Sequence, residues 1–323
     1  MDAESLAGRT VVVTGGTGFV GSAFVRHAVR NRAVVTVVAR ADSNHWRLDE
    51  LAGRYTTLSA SLSQLAGLRL PSATRASLMV HFATAGVNQS FDDLAELVAT
   101  NVDGTVQALS FAVRNGIRRF VLVGSSGEYG PGEELSEGSR LDPNSEYGAT
   151  RAAATLLARA FAKRHSLDVV VVRPFAVYGP FEAPYRLIPY AILRGLQGEP
   201  IEISSGVQTR DYVHVDDVAD GIMRAGTIEA AANGIFNLCS GVQTAVGDAA
   251  ELVARLTGGG SRVDRGARPA IPAEMWRTSG TTALARARLE WSPRLNLKEG
   301  LSQTIDWFRS DGRQMPAYRV SSQ

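Results

Sequence analysis

Short apolar runs recur along the chain, and most are followed by an amphipathic stretch. Val11–Val13 is a β-branched run of the kind buried on both faces of a sheet. Val34–Ala39, Thr56–Ser59, Leu78–Ala83, Phe120–Val123, Val169–Val172 and Ile235–Leu238 read as further strands. Between them the period changes to that of a helix. Ser22–Arg30 is helix-compatible, and Asp93–Asn115 carries Leu94, Leu97, Val98, Val102, Val106, Leu109 and Val113 on one stripe, with Gly116 as its C-cap. Pro143–Ser145 turns into a long Ala-rich helix, Glu146–His165. Strands alternating with helices predict an α/β fold, a Rossmann-type doubly wound parallel sheet with right-handed crossovers, and ligands at the carboxyl ends of the strands. From Tyr178 the chain is richer in loops. Helices are expected at Ile188–Arg194, Val215–Arg224, Ala245–Leu256 and Leu297–Phe308, with a polar turn at Gly206–Tyr212 and Gly- and Pro-containing connections at Thr257–Gly260 and Arg268–Pro272. The expected division is a dinucleotide-binding domain over 1–177, with 212–240 returning to it. Residues 178–211 and 241–323 then form a smaller C-terminal substrate-binding lobe.

The first strand opens into the densest motif. Gly15, Gly16, Gly18 and Gly21 fall within seven residues, between strand and helix. One glycine permits the turn, one lets the backbone approach a pyrophosphate, and one lets the helix pack on the strand. The helix N-terminus then presents free N–H groups to phosphate. The spacing is GxxGxxG rather than GxGxxG. The second strand ends in Ala39-Arg40, without the carboxylate that favours a free ribose 2′-hydroxyl. Asp42 is the nearest acid, slightly late. Arg40 is either a solvated loop residue or the cation for a 2′-phosphate, the favoured reading and hence NADP(H), with Ser43, Asn44 and Arg47 following to add hydrogen bonds.

Composition narrows the classes. The 323 residues are 45% hydrophobic and 20% charged, as in an ordinary globular protein with a large core. Lys+Arg 34 against Asp+Glu 32 gives a net charge of +2 without a basic tract, which argues against a nucleic-acid partner. The single cysteine, Cys239, sits in an apolar run and reads as an inert core thiol. It allows no intrachain disulfide and fits a reducing, cytoplasmic setting, and no metal site is expected. The N-terminus does not resemble a signal peptide, and no apolar run reaches the roughly 18 residues of a membrane span.

Candidate chemistry gathers at the strand ends. Tyr147 and Arg151 lie four apart on one helix face, and Ser125 follows the fifth strand. A phenol beside a permanent cation can exchange a proton with a carbonyl or hydroxyl oxygen, and a serine hydroxyl can hold that oxygen. His81, inside an apolar run, reads as a core residue rather than a base.

These motifs together resemble the extended short-chain dehydrogenase/reductase family, which includes nucleotide-sugar epimerases, dehydratases and reductases. The resemblance spans nearly the whole chain: TGGTGFVG at Thr14–Gly21, VHFA at Val80–Ala83, NVDGT at Asn101–Thr105, GSSGEYG at Gly124–Gly130, YGATR at Tyr147–Arg151, RPFAVYGP at Arg173–Pro180, RDYVHVDDVA at Arg210–Ala219 and LEWSP at Leu289–Pro293. It implies Ser125, Tyr147 and Arg151 as the catalytic set, with Arg151 where the family carries Lys, a planar fork in place of a point charge. It implies cofactor contacts from Gly15, Thr17, Gly18, Phe19, Val20, Arg40, Ser43, Asn44, Phe82, Ala83, Thr84, Val123, Tyr147, Arg151, Pro174 and Val177. Substrate contacts are implied for Ala85, Ser126, Gly127, Ala176, Arg210 and Arg268, with Ala176 replacing a common Asn. Ser126 and Gly127 stand where family members that eliminate water, decarboxylate or 3,5-epimerise carry acid or Cys groups, and Glu128 would point elsewhere on an extended segment. The expected activity is therefore NADPH-dependent reduction of the C4 ketone of a nucleotide-activated, dTDP-linked 4-keto-6-deoxyhexose. The alternatives are a 4-epimerase on an intact nucleotide sugar and a non-catalytic binding relative. A homodimer through helices 93–115 and 146–165 is expected from the same resemblance.

Overall fold

The computed structural model describes residues 6–71, 74–87, 93–269, 276–312 and 315–318. Numbering only the strands of the central sheet, these are β1 (Thr10–Thr14), β2 (Val34–Ala39), β3 (Thr56–Ser59), β4 (Ala76–His81), β5 (Arg119–Val123), β6 (Asp168–Pro174) and β7 (Ile235–Leu238). They lie in the order β7-β6-β5-β4-β1-β2-β3, and every neighbouring pair is parallel. The order reverses between β4 and β1, which opens a crevice at the carboxyl ends of these strands. Val11–Val13 and Val170–Val172 are wholly buried, as their unbroken apolar runs require. On one face Phe24 and Val25 of helix Phe19–Arg30 meet Val218 and Ile222 of helix Val215–Thr227, with Trp291 beside them. On the other, Leu109 and Phe111 meet Ala158 and Ala162. A third core joins helices Leu187–Gln197, Val246–Thr257 and Leu297–Ser310 through Ile192, Val253, Ile305 and Phe308.

Two expected elements differ. The stretch read as a polar turn at Gly206–Tyr212 overlaps a strand, Thr209–His214. It runs parallel to Ala176–Tyr178 and antiparallel to Gln243–Ala245. Its polarity hid it, because buried Asp211 is satisfied by distant donors: the Ser240 N–H and hydroxyl (both 2.6 Å), Gly241 N–H (3.0 Å) and Gly280 N–H (3.2 Å). The helix expected over Asp93–Asn115 is broken by a wider turn, Val98–Asp103, between Leu94–Leu97 and Gly104–Arg114. That wide turn holds Asn101, buried, whose amide oxygen accepts from the Thr84 hydroxyl (2.9 Å) and Ala85 N–H (2.8 Å). Its amide nitrogen donates to Thr150 Oγ1 at 3.0 Å. Widened turns of this kind tend to mark functional positions, and this one ties the β4 exit loop to the helix bearing Tyr147. The connection expected at Arg268–Pro272 runs into residues 270–275, which lie outside the described residues, as do residues 1–5 of the N-terminus. Among the described residues no helix is long and apolar enough to cross a membrane.

Candidate active site

The strand ends face a cleft of about 1790 Å³, more than the roughly 300–1,000 Å³ that one small ligand fills. At its floor Gly15 has φ +67°, and a Cβ there would lie 2.5 Å from Ala83 N. Only glycine allows β1 and the β4 exit to come so close. The same holds at Gly21, where a Cβ would overlap the Gly15 carbonyl oxygen. Gly18 caps helix Phe19–Arg30 without a side-chain hydrogen bond, and no acidic residue occupies the first turn. The helix therefore offers unshielded N–H groups and its positive dipole end to the cleft. This cradle fits a pyrophosphate.

Ser125, two residues past β5, caps a 3-10 turn, Ser126–Glu128. Its Oγ accepts from Gly127 N–H at 3.1 Å, which leaves the hydroxyl proton to donate. A Cβ at Gly127 would lie 3.3 Å from Ser125 Oγ and 3.8 Å from Tyr147 Cδ1. A side chain at 127 would thus touch both serine and phenol, and this chain has none there. Glu128 is turned away, as expected, but because it sits on the tight 3-10 turn rather than an extended segment. It is fully buried, accepts from Ser125 N–H (3.0 Å), and takes both Nε (2.9 Å) and Nη2 (2.8 Å) of buried Arg173 on one oxygen. The Arg173 guanidinium also lies 4.5 Å from the Tyr129 ring centre. The Tyr129 hydroxyl donates to Asn237 on β7 at 2.7 Å, and burial pushes it up to about 12.

Tyr147 lies on the cleft wall, near the start of helix Glu146–His165. Arg151, one turn on, is almost wholly buried and is not part of that wall. Its Nη2 donates to the Val123 carbonyl, while Nε and Nη1 have no hydrogen-bond partner among the described residues. No carboxylate pairs with it there either. His81 is a core residue, as read from sequence. It is held by Thr14 Oγ1 (2.6 Å) and Thr105 Oγ1 (3.3 Å), and burial, with the Arg151 charge, pushes it down to about 3. Burial likewise raises the Cys239 thiol.

Most other expected contacts are on the cleft wall: Thr17, Phe19, Val20, Arg40, Ser43, Phe82, Ala83, Thr84, Val123, Pro174 and Val177 on the glycine-loop side. Ser126, Ala176, Arg210 and Arg268 lie there too. Three do not line it. Asn44 is exposed and accepts from Trp46 N–H (3.0 Å), Ala85 is held back by Asn101, and Arg151 is drawn under β5. Arg47 also lines the cleft, along with Arg40 and Ser43, and its Nε donates to the Phe181 carbonyl at 2.9 Å. Arg210 donates to the Thr209 carbonyl (2.8 Å), and Arg268 stacks over Tyr190 at 4.1 Å. Sequence reasoning did not single out Glu182 or Arg186, which also line the cleft. They lie in a loop-rich stretch, and no periodicity marks them. No cluster of metal-binding side chains occurs among the described residues.

A model of the NAD dependent epimerase/dehydratase family matches residues 11–239. The chain belongs to that family. It is 31% identical to dTDP-glucose 4,6-dehydratase of Streptomyces niveus over 320 residues, covering 93% of each. Among solved structures it resembles the UDP-glucose 4-epimerase of Thermotoga maritima bound to UDP-glucose, with 27% identity, TM-score 0.84, and coverage of 93% of this chain and 98% of that one. It also resembles MoeE5 in complex with UDP-glucuronic acid and NAD, with 30% identity, TM-score 0.82, and coverage of 93% and 99%. The chain is thus an enzyme of a nucleotide-sugar family with a nicotinamide cofactor.

Arg173→Met leaves a buried carboxylate unpaired and should cost about 3–5 kcal/mol. Arg173→Met combined with Glu128→Gln should recover part of that loss. Urea denaturation monitored by circular dichroism measures both.

Proposed function

We propose that the protein reduces the C4 ketone of a nucleotide-linked 4-keto-6-deoxyhexose with NADPH. The observation that carries this is Gly127. The position in contact with both Ser125 and Tyr147 has no side chain, and the adjacent carboxylate, Glu128, is locked to Arg173. The group that elimination, decarboxylation or 3,5-epimerisation would need is therefore missing. Proton transfer at a single oxygen is what the remaining residues can perform. Ser125 donates to that oxygen, and Tyr147 gives it a proton as the alcohol forms. The buried charge of Arg151, one helical turn away and without a carboxylate partner among the described residues, favours the phenolate that results. The cofactor, when bound, supplies the hydride. Its pyrophosphate fits the Gly15–Gly21 cradle.

The Arg in the Lys position accords with the chain as a whole. Of its 34 cationic residues only Lys163 and Lys298 are lysines. The preference for NADP(H) rests on Arg40, which follows β2 on the cleft wall. Its ion pair with Asp42 (3.1 Å) is exposed, a pair worth about 0–1 kcal/mol and readily exchanged for a 2′-phosphate. A second reading, 4-epimerisation through a transient ketone, uses the same residues and is favoured by the likeness to the Thermotoga maritima epimerase. The nucleotide sugar would lie along Arg210 and Arg268. A homodimer is supported by exposed apolar side chains on the two helices expected to pair. Leu94, Val98, Val113, Leu156 and Leu157 make five of the eleven large exposed hydrophobics among the described residues.

The deciding assay is NADPH oxidation with dTDP-, GDP- and CDP-4-keto-6-deoxyhexoses. Conversion of an intact nucleotide sugar without net cofactor change would instead establish epimerisation. Tyr147→Phe and Arg151→Met should each lower turnover by about 100- to 10,000-fold with NADPH binding nearly intact, while Arg151→Lys stays active. Wild-type turnover in both variants would remove the site from this helix. Arg40→Asp should weaken NADPH binding about 10- to 100-fold and turn preference toward NADH; equal wild-type affinity for the two cofactors would refute the Arg40 reading. Sedimentation velocity at micromolar concentration should give a dimer, and Leu156→Glu should shift it toward monomer.

A further inference from the structure

We propose that Glu182 and Arg186 form a subsite for a hydroxyl group lying beside a phosphate, with Arg186 taking the phosphate and Glu182 the hydroxyl. The proposal rests on the nucleotide reading of the cleft given above. Both residues line the cleft, at the seam between the loop after β2 and helix Leu187–Gln197. The Glu182 side chain is only 8% exposed. Its Oε1 lies 3.6 Å from Arg186 Nε, beyond a good hydrogen bond, and its Oε2 has no partner among the described residues. A buried carboxyl left unsatisfied works against folding. Burial pushes it up to about 8 despite the nearby Arg186 charge.

The loop bearing this side chain is tied down on several sides. Glu182 N–H donates to the Gly179 carbonyl (3.3 Å), and the Tyr318 hydroxyl donates to the Glu182 carbonyl. Phe181, just before it, has φ +69°, a left-handed conformation that a bulky residue rarely adopts. Arg47 holds the Phe181 carbonyl, and the Arg26 guanidinium lies 4.0 Å from its ring centre. Strain of this kind persists where surroundings over-determine it, and it gathers at ligand clamps. The acid alone would invite a cation. Arg186 beside it, itself 45% exposed, and Arg210 and Arg268 on the same wall make an anion the better guest. A phosphate with a neighbouring hydroxyl satisfies both groups together. Two ligands carry that pattern: a sugar diphosphate, whose C2 hydroxyl adjoins the anomeric phosphate, and NADPH, whose ribose 3′-hydroxyl adjoins the 2′-phosphate.

Calorimetric titration of the full chain with UDP-glucose and, separately, with NADPH distinguishes the sources. Glu182→Leu should weaken one ligand about tenfold, while Glu182→Gln, which keeps a hydrogen-bonding group, should stay within about threefold of wild type. The ligand affected names the source. The melting temperature of unliganded Glu182→Leu should hold or rise, because an unsatisfied buried acid is gone. A fall in melting temperature with unchanged affinities, or unchanged affinities for both ligands in both variants, would overturn the subsite while leaving the nucleotide reading standing. A wild-type protein that binds neither ligand would overturn both.

Discussion

The buried ion pair between Glu128 and Arg173 organises the floor of this molecule. It joins the end of β5 to the end of β6, and through Tyr129 and Asn237 it reaches β7. Two charges taken out of water are tolerable only when each has its full set of partners. Here one carboxylate oxygen serves the guanidinium and the other serves Ser125 N–H. The demand is tight enough to dictate neighbours: a Cβ on Gly124 would overlap Glu128 Oε1. The consequence for chemistry is indirect. Because Glu128 is committed to holding Ser125, its carboxylate does not face the cleft, and Gly127 presents nothing in its place.

What remains at the strand ends is a hydroxyl, a phenol and a buried cation. Arg151 is unusual among them. It is buried beside β5, gives one nitrogen to the Val123 carbonyl, and keeps two nitrogens without partners among the described residues. A buried cation without a counter-charge favours negative charge nearby. Burial first, and this charge second, push His81 down toward its neutral form. Longer and planar where lysine is compact, Arg151 lies beneath the cleft rather than on its wall.

A second constraint closes the far side. Trp46, Phe181, Trp307 and Tyr318 come from the loop after β2, the loop after Ala176–Tyr178, and the C-terminal region, and they pack ring against ring at 4.7–5.9 Å. Arg26 and Arg47 lie over this cluster and pin the Phe181 loop by charge and hydrogen bonding. The conformation of Phe181, and with it the direction of Glu182, follows from contacts made by residues more than a hundred positions apart.

Much of this was legible in the chain. Local patterns set the seven strands, because a parallel sheet covered on both faces demands unbroken apolar runs such as Val11–Val13 and Val170–Val172. The glycine loop was equally plain, since the closeness of Gly15 to Ala83 excludes any side chain. The places of Ser125, Tyr147 and Arg151, past a strand end and on one helix, could be read because strand ends and helical spacing are local properties. Tertiary structure alone decided the rest. Asp211 sits in a strand that its polarity disguised, because its donors come from Ser240, Gly241 and Gly280. Arg151 lies off the cleft wall because the Val123 carbonyl, far away in sequence, draws it under β5. Glu182 faces inward because Arg47 and Tyr318 hold its loop. Sequence pattern records which surfaces must be buried, whereas the direction of a polar side chain depends on which distant donor or acceptor the fold brings to meet it.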